Sequence, residues 1–181
     1  MKQYLLLLVT TIILWCPALT AQDTVPELEA QLKESEGSVK VNIQLALADK
    51  LLSSDPKAAL KYAEDAEKAS ESLRYWPGLY QSSLFVANRE LTLQRYRKAA
   101  NAGENAVAAA KLLKDREKEL VALSVLIKIY QGDGRKKKRD EAVLKYKKLE
   151  TAIALIKREQ ELSVLQGDFE TTAAIKDSVM G

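Results

Sequence analysis

Hydrophobic positions along the chain recur at helical spacing, and they do so in a pattern that itself repeats. Val41 to Leu52, Leu79 to Leu91 and Leu120 to Tyr130 each carry apolar residues three and four apart, the period of one helix face. A polar turn follows each, and then a second amphipathic stretch begins. The first two of these stretches align on small residues, Ala59, Ala63 and Ala66 with Ala99, Gly103 and Ala106, and the third aligns on Ala142 followed by Tyr146. Small residues on a helix face let a neighbouring helix approach closely, and a larger side chain there would force the two apart. Each unit therefore reads as helix A, turn, helix B. No long run alternates with the two-residue period of a half-buried strand.

Aligning Ala59, Ala99 and Ala142 spaces the units 40 and 43 residues apart, the longer step being assigned to an expanded turn at Gly132–Lys138. The units span about 39–75, 76–116 and 117–157. Residues 22–38 predict a short leading helix, with Pro26 in its first turn and Gly37 ending it. From Asp140 onward Ala142, Tyr146, Leu149, Ile153 and Ile156 step by four and three with no stop before about Leu165. Two readings follow, a long third helix B or a bend near Lys157 opening a fourth unit, with 166–181 as a degenerate repeat or a C-terminal tail. The lack of an interrupting Gly or Pro favours the long helix.

The first 21 residues have a different pattern. Met1-Lys2 is a short basic start, Tyr4 to Trp15 is nearly all apolar, Pro17 breaks the run, and small residues lead to Ala21-Gln22. Charge, apolar core and small-residue exit, in that order, predict a secretory signal peptide cut between Ala21 and Gln22. The apolar core of about 12 residues is short of the ~20 a membrane span needs. The expected destination is periplasmic or secreted, with an N-terminal membrane anchor as the alternative.

Composition narrows the chemistry. There is no His, and the single Cys is Cys16 inside the leader. A chain cut after Ala21 would lack the commonest general base, the commonest metal ligand and any thiol nucleophile. The net charge of +3 is too small to predict nucleic acid as a partner. No enzyme, cofactor or metal is expected. The basic run Arg135–Arg139 reads as a solvated turn, flanked by Asp133, Asp140 and Glu141. Asp133 between two glycines lacks the further oxygen ligands of a calcium loop. The carboxylate pairs Glu64-Asp65 and Glu117-Glu119 read as charged helix faces beside lysines. Tyr75, Trp76 and Tyr80 around Pro77-Gly78 read as packing of an inter-repeat turn.

These units resemble the tetratricopeptide repeat family. Leu47-Ala48 and Val86-Ala87 match its large–small pair in helix A, Tyr130 its helix A aromatic, Ala59, Ala99 and Ala142 its first helix B alanine, and Ala66 and Ala106 its second. The chain departs from the family in its longer period, in Glu90 at a helix A aromatic position and in Leu149 at the last alanine. Val39-Lys40-Val41, Leu45-Ala46-Leu47-Ala48 and Ser54-Asp55-Pro56-Lys57-Ala58 resemble, more narrowly, the exported repeat region of bacterial sensor histidine kinases. The resemblance implies an all-α solenoid of antiparallel helix pairs over 39–165, whose helices A line a concave groove. Carried over residue by residue, the groove positions are Asn42, Leu45 and Asp49; Gln81, Leu84 and Asn88; Ser124 and Lys128. The expected function is non-catalytic recognition of a peptide or protein on that face. The alternatives are a sensory input domain truncated or split from a bacterial two-component signalling kinase, with a membrane signalling protein as its partner, and a self-assembling scaffold joined through the C-terminal helix.

Overall fold

The computed structural model describes the backbone of residues 24–180 and the side chains of 24–166. The segment read as an export signal, including Cys16, lies outside the described residues. The described chain is all-helical with no strand among its residues. Its helices are α1 (Val25–Glu34), α2 (Gly37–Leu51), α3 (Pro56–Leu73), α4 (Trp76–Thr92), α5 (Tyr96–Leu112), α6 (Arg116–Gly132) and α7 (Lys136–Met180). Each packs against the next in the chain, so α2–α3, α4–α5 and α6–α7 form three stacked antiparallel pairs behind a leading helix. This is a helical-repeat solenoid.

Local chemistry sets the helix starts. Asp55 caps α3 by accepting from the N–H groups of Lys57 and Ala58 at 3.1 and 3.0 Å, with Pro56 as first helical residue. Asp115 caps α6 from the N–H of Lys118 at 2.9 Å. Glu27 reaches back to the N–H of Thr24 at 2.7 Å and fixes the start of α1. Gly37 does not end the leading helix, which stops at Glu34; with φ of +59° it turns the chain and opens α2.

Helices α3 to α7 begin at residues 56, 76, 96, 116 and 136, every 20 residues. The third turn is therefore not expanded, and the period is 40 at both steps. By place in the helix, the third partner of Ala59 and Ala99 is Arg139, and Ala142 stands where Ala102 does. The four turns between α3 and α7 share one geometry. Arg74, Gln94, Lys114 and Gly134 have φ of 53°, 57°, 56° and 71°. The next N–H then bonds back across the helix end, as from Arg95 to the Glu90 carbonyl at 2.9 Å and from Asp115 to that of Ala110 at 3.1 Å.

The core runs as a seam between the pairs. Ala59, Ala63, Ala66, Ala99 and Ala106 are fully buried, Gly103 is buried, Ala142 is 5% exposed and Tyr146 half-buried. The approach at Gly103 is close: a Cβ there would stand 2.7 Å from Leu126 Cδ2. At Gly78 a Cβ would meet Ser70, Tyr75 and Val41 on three sides. Larger anchors, Val41, Leu47 and Ile129, are fully buried and supply ~1.5–3 kcal/mol each in removal of apolar surface from water.

Consecutive helices A touch: α2 meets α4, and α4 meets α6. The backbones of α3, α5 and α7 do not meet; long side chains bridge them instead, Lys98–Glu64 at 3.9 Å, Asn105–Glu67 at 3.1 Å and Lys138–Glu104 at 3.2 Å. Rows held closer on one side than the other curve toward the closer side, which here is helices A. At the C-terminal end α7 runs unbroken from Lys136 to Met180, the long helix rather than a bend near Lys157. It follows α6 back as far as the Lys157–Glu117 ion pair at 3.2 Å and then continues past the stack.

Candidate functional site: the helix A face

Three positions recur at the same place in every helix A. The sixth residue is Asn42, Gln81 or Val121; the ninth is Leu45, Leu84 or Ser124; the thirteenth is Asp49, Asn88 or Lys128. Residues three and four apart share a helix face, so these nine form three parallel rows on adjoining helices. Asn42, Asp49, Gln81, Asn88 and Lys128 are exposed, Leu84 and Ser124 are half-buried, and Leu45 is buried beneath them. Val121 completes the first row and is 47% exposed. The family resemblance does not point to it, but the 40-residue step from Gln81 does.

Part of this polarity is already engaged. The Tyr75 hydroxyl donates to Asn42 Oδ1 at 3.2 Å, the Asn88 amide N–H donates to the Leu84 carbonyl at 2.9 Å, and the Ser124 hydroxyl donates to the Val121 carbonyl at 2.7 Å. The bond at Asn88 turns its amide oxygen outward as an acceptor. The third row runs carboxylate, amide, ammonium across the stack. With helix axes 8–10 Å apart, Asp49 and Lys128 lie on the order of 20 Å apart, the reach of about six extended residues. Such a face can hydrogen-bond a peptide backbone and sense the charge at both its ends.

The other sequence features resolve into packing or ion pairs. Tyr80 is buried with its phenol pushed up by that burial, and Tyr75 and Trp76 are half-buried beside it. Glu64 faces Lys98, Glu117 faces Lys157, and Glu119 faces Lys111 at 3.6 Å. In the basic turn Asp133 pairs with Arg135, and Arg139 with Asp140.

A second network lies on the opposite, helix B side. A hollow of about 240 Å³ opens between α5 and α7 over Leu123, Leu126 and Tyr130. At its rim the Tyr130 hydroxyl donates to Glu104 at 2.6 Å, with Lys138 on the same carboxylate at 3.2 Å and the Arg135 and Lys138 cations over the Tyr130 ring. The Tyr130 bond, with Lys138 and Arg135, holds the Glu104 carboxyl below its usual range; burial and Glu104 push the Tyr130 phenol up. One repeat earlier Glu90 replaces Tyr130 and is fully buried, with Arg95 at 3.6 Å and Lys98 at 3.8 Å, both beyond hydrogen-bond range.

No family model and no curated protein matches the chain. The helix A face thus stands on its own geometry.

Proposed function

We propose that this chain is a non-catalytic, exported interaction module of tetratricopeptide-like repeats that binds a peptide or protein along its helix A face. The observation that carries the reading is the set of three rows of outward groups, in register on α2, α4 and α6, on the side toward which the stack curves. An extended peptide crossing the three helices would exchange backbone hydrogen bonds with Asn42, Gln81 and Asn88. Leu84 and Val121 would take apolar side chains, and Asp49 and Lys128 would fix direction by charge. Export rests on the order of residues in the first 21 positions, and among the described residues no helix is long and apolar enough to cross a membrane.

Selection of a random peptide library on the immobilised chain, followed by titration of the enriched peptides, tests this. Asn88→Ala with Lys128→Glu should weaken the selected peptides at least tenfold and leave the melting temperature within a few degrees. Lys61→Ala with Lys111→Ala, on helices B, should leave them unchanged. Undiminished binding by the first pair overturns the assignment of the face.

A further inference from the structure

Helix α7 has two apolar sides, and among the described residues only one of them is packed against the rest of the chain. Ala142, Tyr146, Leu149, Ile153 and Ile156 are buried or half-buried against the stack. Leu144, Leu155, Leu162 and Leu165 point the other way and are 56, 56, 52 and 63% exposed. Their spacing keeps them on one stripe, with Lys148, Thr151 and Arg158 between them at the intervening heptad positions. Four outward leucines on one helix are more than a solvated face requires.

The charges on the same helix say what would cover the stripe. Residues 136–158 carry nine Lys or Arg and three Asp or Glu; residues 159–180 carry one Lys and five Asp or Glu. The net sign goes from +6 to −4 along one helix. The cations Lys136, Lys137, Lys138 and Arg139 fill the first turn, at the positive end of the helix dipole, where they are unfavourable. A second copy of the same helix, running antiparallel, is complementary to it in charge.

We propose that the chain pairs with a second copy of itself through this outward stripe, the two α7 helices running antiparallel. A register centred between Arg158 and Glu159 overlaps the helices over essentially their whole length. It sets Leu155 of each against Leu162 of the other, crosses Arg158 with Glu159 twice, and lays each basic half along an acidic half. The repeat stack occupies the opposite side of α7 and the helix only to about residue 160, so the two stacks sit at opposite ends without collision. A parallel pair would place Arg158 against Arg158 and basic half against basic half, like charges that repel. Glu159 and Glu161 beside Leu155, Leu162 and Leu165 disfavour an anionic lipid surface along that part of the stripe. The inference is independent of the helix A face.

The test uses the chain with Cys16→Ser, which then has no thiol. Sedimentation over micromolar concentrations should show a monomer–dimer equilibrium. Leu155→Glu with Leu162→Glu should weaken it at least tenfold with unchanged helicity and melting. Arg158→Glu should weaken it at low salt, and adding Glu159→Arg should restore it. In oxidising buffer, Thr151→Cys mixed with Gln166→Cys should give disulfide dimers where neither alone does. A concentration-independent monomer, a dimer indifferent to the leucine changes, or cross-linking of Thr151→Cys to itself overturns the proposal; the first would leave the stripe to another protein.

Discussion

Glu90 and Tyr130 occupy one position in successive repeats and show two answers to the same problem. Each sits at the end of a helix A under a pair of cations, Arg95 and Lys98 or Arg135 and Lys138. Tyr130 fills the space with a ring, places the cations on its face and sends its hydroxyl to Glu104. Glu90 buries a carboxylate whose two oxygens have no hydrogen-bond partner. Desolvating an ion costs several kcal/mol, and cations at 3.6 and 3.8 Å offset only part of this. Glu90→Leu should therefore be neutral or raise stability by up to ~3 kcal/mol, whereas Arg95→Ala with Lys98→Ala should lower it by about as much. Urea unfolding of the variants reads both signs. For the Tyr130–Glu104 bond the signs follow from linkage. A carboxyl held low in the fold adds stability above its unfolded value, near 4.3, and loses it as pH falls through the folded value. A phenol held high adds stability below about 10 and loses it as pH rises through its folded value. Tyr130→Phe should cost about 1 kcal/mol at neutral pH and flatten the stability profile at both extremes, measured by denaturant midpoints from pH 3 to 11.

At the scale of elements, much of the design was visible in the chain. Alanines and Gly103 mark where helices approach, and the 3.6-residue period marks which faces they share. The third turn is shorter than the alanine alignment predicts, for a physical reason. Helix α5 is covered by α4 on one side and α6 on the other, so both its faces demand small residues from Ala99 and Ala100 onward. Helix α7 is covered on one side alone, so Arg139 and Asp140 stand where Ala99 and Ala100 stand in α5, and the first small residue that sequence comparison finds is Ala142, three positions late. The helix A rows were legible apart from Val121, whose side chain is apolar where Asn42 and Gln81 are polar. The Glu104–Tyr130–Lys138 network was not, because it joins residues 26 and 34 apart that only stacking brings together. The turns carry a further consequence. Arg74, Gln94 and Lys114 hold the left-handed conformation that Gly134 adopts without a Cβ penalty. That conformation costs a non-glycine residue roughly 1–2 kcal/mol, so Lys114→Gly or Gln94→Gly should raise the unfolding free energy by about 1 kcal/mol. Either change acts on a closed turn, and thermal or urea midpoints report it.

At the scale of the molecule, the outer face of α7 differs from the faces that the earlier helices B bury. In a repeat array each unit buries its face on the next, and the last must present polar groups instead. Four positions of helix B face the following helix A. In α3 they are Leu60, Ala63, Glu67 and Ser70, and in α5 Ala100, Gly103, Val107 and Ala110, all buried or half-buried. In α7 the same four are Asp140, Val143, Lys147 and Glu150, three of them charged and exposed. Three charges at the seats of a packed helix would leave ions desolvated under a further helix, so the outer face of α7 is not built to seat one. Restoring the α5 pattern should turn this face into a helix seat. Asp140→Ala with Lys147→Val and Glu150→Ala would present a continuous seat of small and apolar residues with nothing to fill it. The triple variant should keep its helicity, bind a hydrophobic dye that the parent does not, and associate beyond any dimer formed through Leu155 and Leu162. Combining it with Leu155→Glu and Leu162→Glu separates the two surfaces: larger species that persist in sedimentation when the leucine stripe is charged must come from the uncapped end of the stack. Were the combined variant to sediment as a clean monomer, the charges at 140, 147 and 150 would not be what keeps a further helix off this face.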